Sequence, residues 1–264
     1  VAHQHHGAVH VVTLARPEAL NALSLAAWRR IATIFDAIRR DDHARAVVVR
    51  GSGERAFGAG ADIAEFPQVR VGAAASLGYT EAIAAAVNSI AEAPVPVIAM
   101  VHGLAVGGGC ELAAACDVRI AASTARFGVP IGRLGVTLGY AEANALARLI
   151  GPAALKYLLF SGRLIDTDEA LRLGLVQRGV AAEDLVTETV NLVENVHASS
   201  EITIRAGKLV ADMTGRALTA ADTEALTRTT VEAYEGPDLA EGIAAFREKR
   251  APEFTGERGD HARS

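Results

Sequence analysis

The sequence predicts an α/β protein that passes into an all-helical C-terminal part, and three observations carry that expectation. Short apolar, β-branched runs at Ala46–Arg50, Val95–Val101 and Val118–Ala122 read as buried strands. Helical stretches separate them and hairpin signals are scarce, which favours parallel strands joined by crossovers. From Glu183 onward the chain reads as helix after helix, so a boundary is expected near residues 195–200, dividing 1–198 from 199–264.

Composition narrows the function classes. At 264 residues, 50% hydrophobic and only 5% aromatic, the chain can bury a large core of Ala, Val, Leu and Ile. A net charge of −5 argues against nucleic acid or an anionic membrane as partner, so an anionic ligand must be held locally. The two cysteines, Cys110 and Cys116, lie in the most apolar part of the chain and form neither a disulfide framework nor a zinc site, so no metal is expected. His102 and Glu111 interrupt the longest apolar runs, and the N-terminus lacks a signal-peptide layout; the expected location is the cytoplasm. His3, His5, His6 and His10 read as an unstructured tail with at most adventitious metal affinity.

Taken in order, Ala8–Leu14 is a short strand stopped by Arg16-Pro17. Ser24 precedes Leu25–Arg40, where Trp28, Ile31, Ile34, Phe35 and Ile38 recur at helical spacing, so Ser24 is the expected N-cap. Gly51–Asp62 follows a strand, but Phe57-Gly58-Ala59-Gly60 falls where a dinucleotide-binding helix should begin, so that fingerprint lacks its context. A P-loop lysine and a G-x-S-x-G elbow are also missing, which removes the signals for phosphoryl transfer and serine hydrolysis. Gly60–Tyr79 reads as a mobile loop and Thr80–Ala91 as a helix ended by Pro94. Ala125–Gly128 is a strand, Val129–Gly132 a turn, and Glu142–Ile150 and Ala153–Phe160 are helices parted by Gly151-Pro152. Asp166 and Glu169 form a capping box for a helix that Gly174 stops. Ile202–Met213 and Leu218–Tyr234 are helical, and Asp238 with Glu241 boxes the last helix, which runs to Lys249.

The densest chemistry lies in Pro94–Asp117. After its strand, Gly107-Gly108-Gly109 bares the backbone ahead of the short apolar helix Cys110–Ala115. Free N–H donors at such a helix start suit an anion or a developing oxyanion. Glu111 within this apolar helix is costly unless used. Equally, the glycines could serve tight packing and Glu111 could be a salt-bridged core acid. His102 reads as a packed turn residue.

The motifs Ala15–Leu23, Ala56–Asp62, Pro96–Leu112, Cys116-Asp117, Phe127–Pro130, Ser161–Arg163 and Glu241–Arg250, in that order, resemble the crotonase superfamily, the enoyl-CoA hydratase/isomerase family. The resemblance spans Leu14–Lys249. It implies a crotonase-like spiral of ββα turns up to about residue 200, then a helical trimerisation region, with homotrimers often paired into hexamers. It also implies an acyl-CoA thioester substrate, with coenzyme A present only as part of that substrate and no separate cofactor. The first activity implied is enoyl-CoA hydratase, adding water through an oxyanion-stabilised enolate; a one-carboxylate double-bond isomerase and a silent acyl-CoA-binding protein are the alternatives.

The same resemblance assigns roles. The N–H groups of Ala59 and Gly108 would hold the thioester oxygen, and Glu111 would orient and activate water. A second family glutamate should follow Pro130, where this chain has Ile131, which cannot exchange a proton. Glu142, or less readily the Tyr140 hydroxyl, could replace it; otherwise Glu142 is an ordinary helix-start acid. Arg16, Ala19, Ala61, Asp62, Ile63, Gly107 and Ile131 are expected to contact the CoA thioester, joined by Phe246 and Lys249, often from a neighbouring subunit.

Overall fold

β-Branched runs and glycine breaks lay out the strands of two sheets. The structure, a computed structural model, describes residues 1–254. In chain order its elements are β1 (Ala2–His6), β2 (Val9–Leu14), α1 (Leu25–Arg39), β3 (Ala46–Gly51), β4 (Ala56–Gly58), α2 (Phe66–Val69) and α3 (Ala73–Ala91). There follow β5 (Val97–Val101), β6 (Leu104–Val106), α4 (Gly108–Ala115), β7 (Val118–Ala122), β8 (Arg126–Gly128), α5 (Tyr140–Ser161), β9 (Ile165–Asp166), α6 (Thr167–Leu173) and β10 (Arg178–Val180). The remainder is helical: α7 (Leu185–His197), α8 (Glu201–Met213), α9 (Ala220–Glu235) and α10 (Pro237–Glu248).

The strands order as β1-β2-β3-β5-β7-β10 in one sheet and β4-β6-β8-β9 in the other. The pairs β3/β4, β5/β6 and β7/β8 each give one strand to each sheet before the chain enters a helix, which is the repeated ββα turn implied above. In the first sheet the pairs β2/β3, β3/β5, β5/β7 and β7/β10 are parallel, and β5 is buried at every residue, as a central parallel strand must be.

Packing divides the chain into two compact units. The first comprises Val1–Ala93 and Val97–Val190; the second comprises Pro94–Pro96 and the chain from Asn191. In the first, Ser24 caps α1 by accepting from the Ala27 amide at 3.1 Å, and the stripe Trp28, Ile31, Ile34, Phe35, Ile38 is buried. Arg119 holds the C-terminal end of α4. Its fully buried guanidinium donates to the carbonyls of Ala113 (3.1 Å), Cys116 (2.6 Å) and Leu175 (2.6 Å), satisfying orphan acceptors at the helix end. The second unit's helices leave an apolar groove bordered by Val210, Leu226, Tyr234, Leu239, Ile243 and Phe246. Among the described residues no helix is long and apolar enough to cross a membrane.

Several expectations are corrected. The N-terminal histidines belong to the sheet: β1 pairs antiparallel with β2, whose alternation turns His10 inward with Val12 and Leu14. His10 bonds His3 at 2.9 Å and Asp41 at 3.1 Å. Gly60–Tyr79 is ordered into a 3-10 turn, α2 and the first turns of α3; its alanines favour helix without producing the apolar stripe that periodicity detects. The parting of Glu142–Ile150 from Ala153–Phe160 is as expected: within the span of α5, Gly151 (φ 74°, ψ 158°) is non-helical and Pro152 follows, so two helices meet across a kink. Asp166 accepts from the Glu169 amide at 2.8 Å, but the Glu169 carboxylate turns to Arg163, so only half a capping box forms. At α10 neither half forms, because Glu241 takes Arg250 in a two-pronged pair at 2.6 and 3.0 Å. The reciprocal box lies at Thr219 and Asp222 instead.

Close approach of α4 to β4 depends on Gly109, where a Cβ would run into the Gly58 carbonyl. Backbone on both sides leaves nothing to rotate away. Gly109→Ala is therefore expected to cost about 3 kcal/mol or more in a denaturant melt. A loss below about 1 kcal/mol would mean that β4 and α4 can separate freely.

Candidate active site

The site forms where α4 begins. Gly107 enters the helix at φ 51°, a left-handed value that glycine adopts without strain, and no side chain caps the start. Its own N–H is engaged with the Gly128 carbonyl at 2.8 Å. The Gly108 N–H, next in line, has no partner among the described residues.

The other donor differs from the expected one. Ala59 N–H donates to the Leu20 carbonyl at 3.0 Å, so it is unavailable to a ligand. Two residues on, a bridge with Leu23 uses the Gly60 carbonyl (2.8 Å) and the Asp62 amide (2.9 Å), leaving Ala61 N–H without a partner among the described residues. A Cβ built on Gly108 would lie 3.6 Å from the Ala61 nitrogen and 2.7 Å from the Trp28 ring, so the Ala61 amide and the indole both lie beside Gly108. The free pair is Ala61 and Gly108.

These amides open into a cavity of about 260 Å³. Of the expected site residues, Ala59, Ala61, Ile63 and Gly107 line it with Gly108, Glu111, Ile131 and Glu142. Glu111 sits in the first turn of α4, only 5% exposed. Burial is the main cause that pushes its carboxyl up to about 8; the nearby Glu142 charge adds to this and Arg70 opposes it.

Glu142 is 2% exposed in the first turn of α5, and its Oε2 is enclosed without a hydrogen-bond partner. The carboxylate folds back over Gly139. Burial raises its pKa, outweighing the backbone amides of Glu142 and Gly139 and the charge of Arg70, which favour ionisation. An enclosed carboxyl oxygen without a partner, on a residue that lines the cavity, is unlike the solvated acid usual at a helix start. The Tyr140 ring, 86% exposed, takes no part in the lining.

Arg16 and Asp62 pair with each other at 2.7 Å, and Arg16 N–H donates to Asn21 Oδ1 at 2.9 Å. Ala19 closes the adjoining 3-10 turn; none of these three lines the cavity. Phe246 and Lys249 belong to the second unit, where Phe246 borders the groove and Lys249 ends α10 at φ 55°. Among the other lining residues, the larger ones carried no signal as site residues in the sequence. Trp28 was hidden within a core stripe, and Phe66 and Arg70 lay in a segment without periodicity.

The raised Glu111 pKa has a consequence for stability. Between the ordinary 4.5 and about 8 the folded protein retains a proton that the unfolded chain has lost. Stability should therefore fall as pH rises through that window and level off above it. Thermal midpoints measured across the window should decline, and Glu111→Gln should flatten the decline; an undiminished slope would assign it to other groups.

Comparison with known proteins identifies the family. The family model described as enoyl-CoA hydratase/isomerase matches residues 4–257. The chain belongs to the enoyl-CoA hydratase/isomerase family. A relative named probable enoyl-CoA hydratase from Mycobacterium tuberculosis is 39% identical to this family member over 250 residues, 94% of each chain. A crotonyl-CoA hydratase from Syntrophomonas wolfei is 36% identical, covering 92% of this chain and 93% of its own. The crystal structure of an enoyl-CoA hydratase/carnithine racemase from Magnetospirillum magneticum superposes with a TM-score of 0.90 at 36% identity, over 97% of this chain and 95% of that one. The fold is thus that of the crotonase superfamily.

Proposed function

We propose that this protein is an enoyl-CoA hydratase in which Glu142 supplies the carboxyl group missing at Ile131. The observation carrying this reading is the convergence of two buried carboxyl groups, Glu111 and Glu142, on the cavity that receives the free amides of Ala61 and Gly108. The thioester oxygen would accept from both N–H groups. Two such donors stabilise the enolate that forms when water adds to the β-carbon. The ionised member of the pair takes a proton from water, and the protonated member delivers one to the α-carbon. Burial raises both carboxyl groups, Glu111 to about 8, which lets Glu111 hold or release a proton near neutrality.

Relatives named hydratases at 36–39% identity support this assignment. The reaction needs no cofactor beyond the coenzyme A of the substrate. The exposed apolar residues Tyr234, Leu239, Ile243 and Phe246 on the second unit support self-association, as a homotrimer or a hexamer. A cytoplasmic setting suits its substrate.

Incubation with crotonyl-CoA tests the reading: the conjugated-enoyl absorbance should decay to a hydrated product. Tight acyl-CoA binding without decay would favour a silent binder. Ile131 favours one alternative, an isomerase using Glu111 alone, which would convert 3-enoyl to 2-enoyl thioesters without hydration.

A further inference from the structure

We propose that Arg70 selects acyl-CoA substrates whose short acyl chain ends in a carboxylate, its guanidinium pairing with that carboxylate inside the cavity. This deepens the function proposed above and rests on that reading for the identity of the cavity.

The backbone of Arg70 is held at both ends. Its N–H donates to the Phe66 carbonyl at 2.9 Å, and its carbonyl accepts from Ser76 Oγ at 2.7 Å. The side chain lines the cavity with its guanidinium carbon 4.6 Å from the Tyr79 ring centre and 4.9 Å from that of Phe66. Those rings stand edge to face at 72° and offer π-faces but no acceptor along the guanidinium edge. Among the described residues the guanidinium makes no hydrogen bond and has no carboxylate within ion-pair distance. Arg119 shows the contrast: its buried guanidinium is used up on carbonyls and on Gln177.

A half-buried guanidinium with unsatisfied donors is costly, and its flat fork matches a carboxylate in two parallel hydrogen bonds. Glu111 and Glu142 line the same cavity, and burial raises the pKa of both, which weakens their opposition to an arriving carboxylate. Arg133 also lines the cavity, so an arriving carboxylate meets two cations, of which Arg70 is the one stacked on the Phe66 and Tyr79 rings. Beside Arg133 and Thr137 the wall is largely apolar, from Ile83, Ile131, Leu134, Val136 and Leu138. A plain alkyl chain would fill it and leave Arg70 desolvated and unpaired. At about 260 Å³ the space suits a short chain.

Glutaryl-CoA and valeryl-CoA separate the possibilities, since both carry five-carbon saturated acyl groups and differ in a terminal carboxylate. Neither can be hydrated, so calorimetric binding reads selectivity apart from turnover; failure of crotonyl-CoA hydration would overturn the reaction and leave this measurement standing. The expected result is at least about tenfold tighter binding of glutaryl-CoA, as for a charge-assisted pair. Arg70→Gln should bring the ratio near one, and Arg70→Lys should fall between. A wild-type ratio at or below one, or a glutaryl preference that survives Arg70→Gln, would overturn the proposal.

Discussion

Replacing Glu111 by glutamine should lower crotonyl-CoA hydration by about 10² to 10⁴-fold while leaving acyl-CoA binding close to the wild-type value. Glutamine preserves size and polarity and removes only the ability to exchange a proton. The fold should tolerate it, because Glu111 makes no side-chain hydrogen bond among the described residues and α4 is anchored elsewhere, by Arg119 and by Gly109 against β4. Loss of a buried ionisable group should also make the variant at least as stable near pH 8. A fall in rate below tenfold, or one accompanied by unfolding in circular dichroism, would remove Glu111 from the chemistry.

Glu142→Gln should cost a similar factor, about 10² to 10⁴-fold, and this is the less familiar expectation. An ordinary first-turn acid stabilises a helix through its dipole by about 0.3–1 kcal/mol and is solvated. Glu142 is enclosed, its Oε2 has no partner, and it shares a cavity with Glu111. Ile131 lines that same cavity, so an acid transferred there would reach the same space. Adding Ile131→Glu to Glu142→Gln should therefore recover part of the lost rate. Full activity in Glu142→Gln alone would make Glu111 sufficient and favour one-carboxylate chemistry.

Much of the scaffold was legible because local rules decide it. Ser24 and the stripe from Trp28 to Ile38 fix α1, and the apolar run into Gly107–Gly109 marks both β5 and the site-bearing start of α4. Where tertiary contacts decide, local reading fell short. In Gly58-Ala59-Gly60-Ala61, nothing local tells which amide Leu20 engages; it engages that of Ala59 and leaves that of Ala61 without a partner among the described residues. His10 reads as tail until β1 folds over β2 and Asp41 reaches it. Glu142 resembles any helix-start acid in sequence; the enclosure that distinguishes it comes from packing around the cavity. Arg70 was hidden for the same reason, since its rings and its lack of partners exist only once α2 and α3 are in place.

A crystal structure with a saturated short-chain acyl-CoA bound tests the central claim most directly. The thioester oxygen should lie about 3 Å from the amide nitrogens of both Ala61 and Gly108, with the carboxyl groups of Glu111 and Glu142 beside the α- and β-carbons. A thioester oxygen held away from these two amides, or a Glu142 carboxylate still folded over Gly139 and out of reach of the acyl chain, would contradict it.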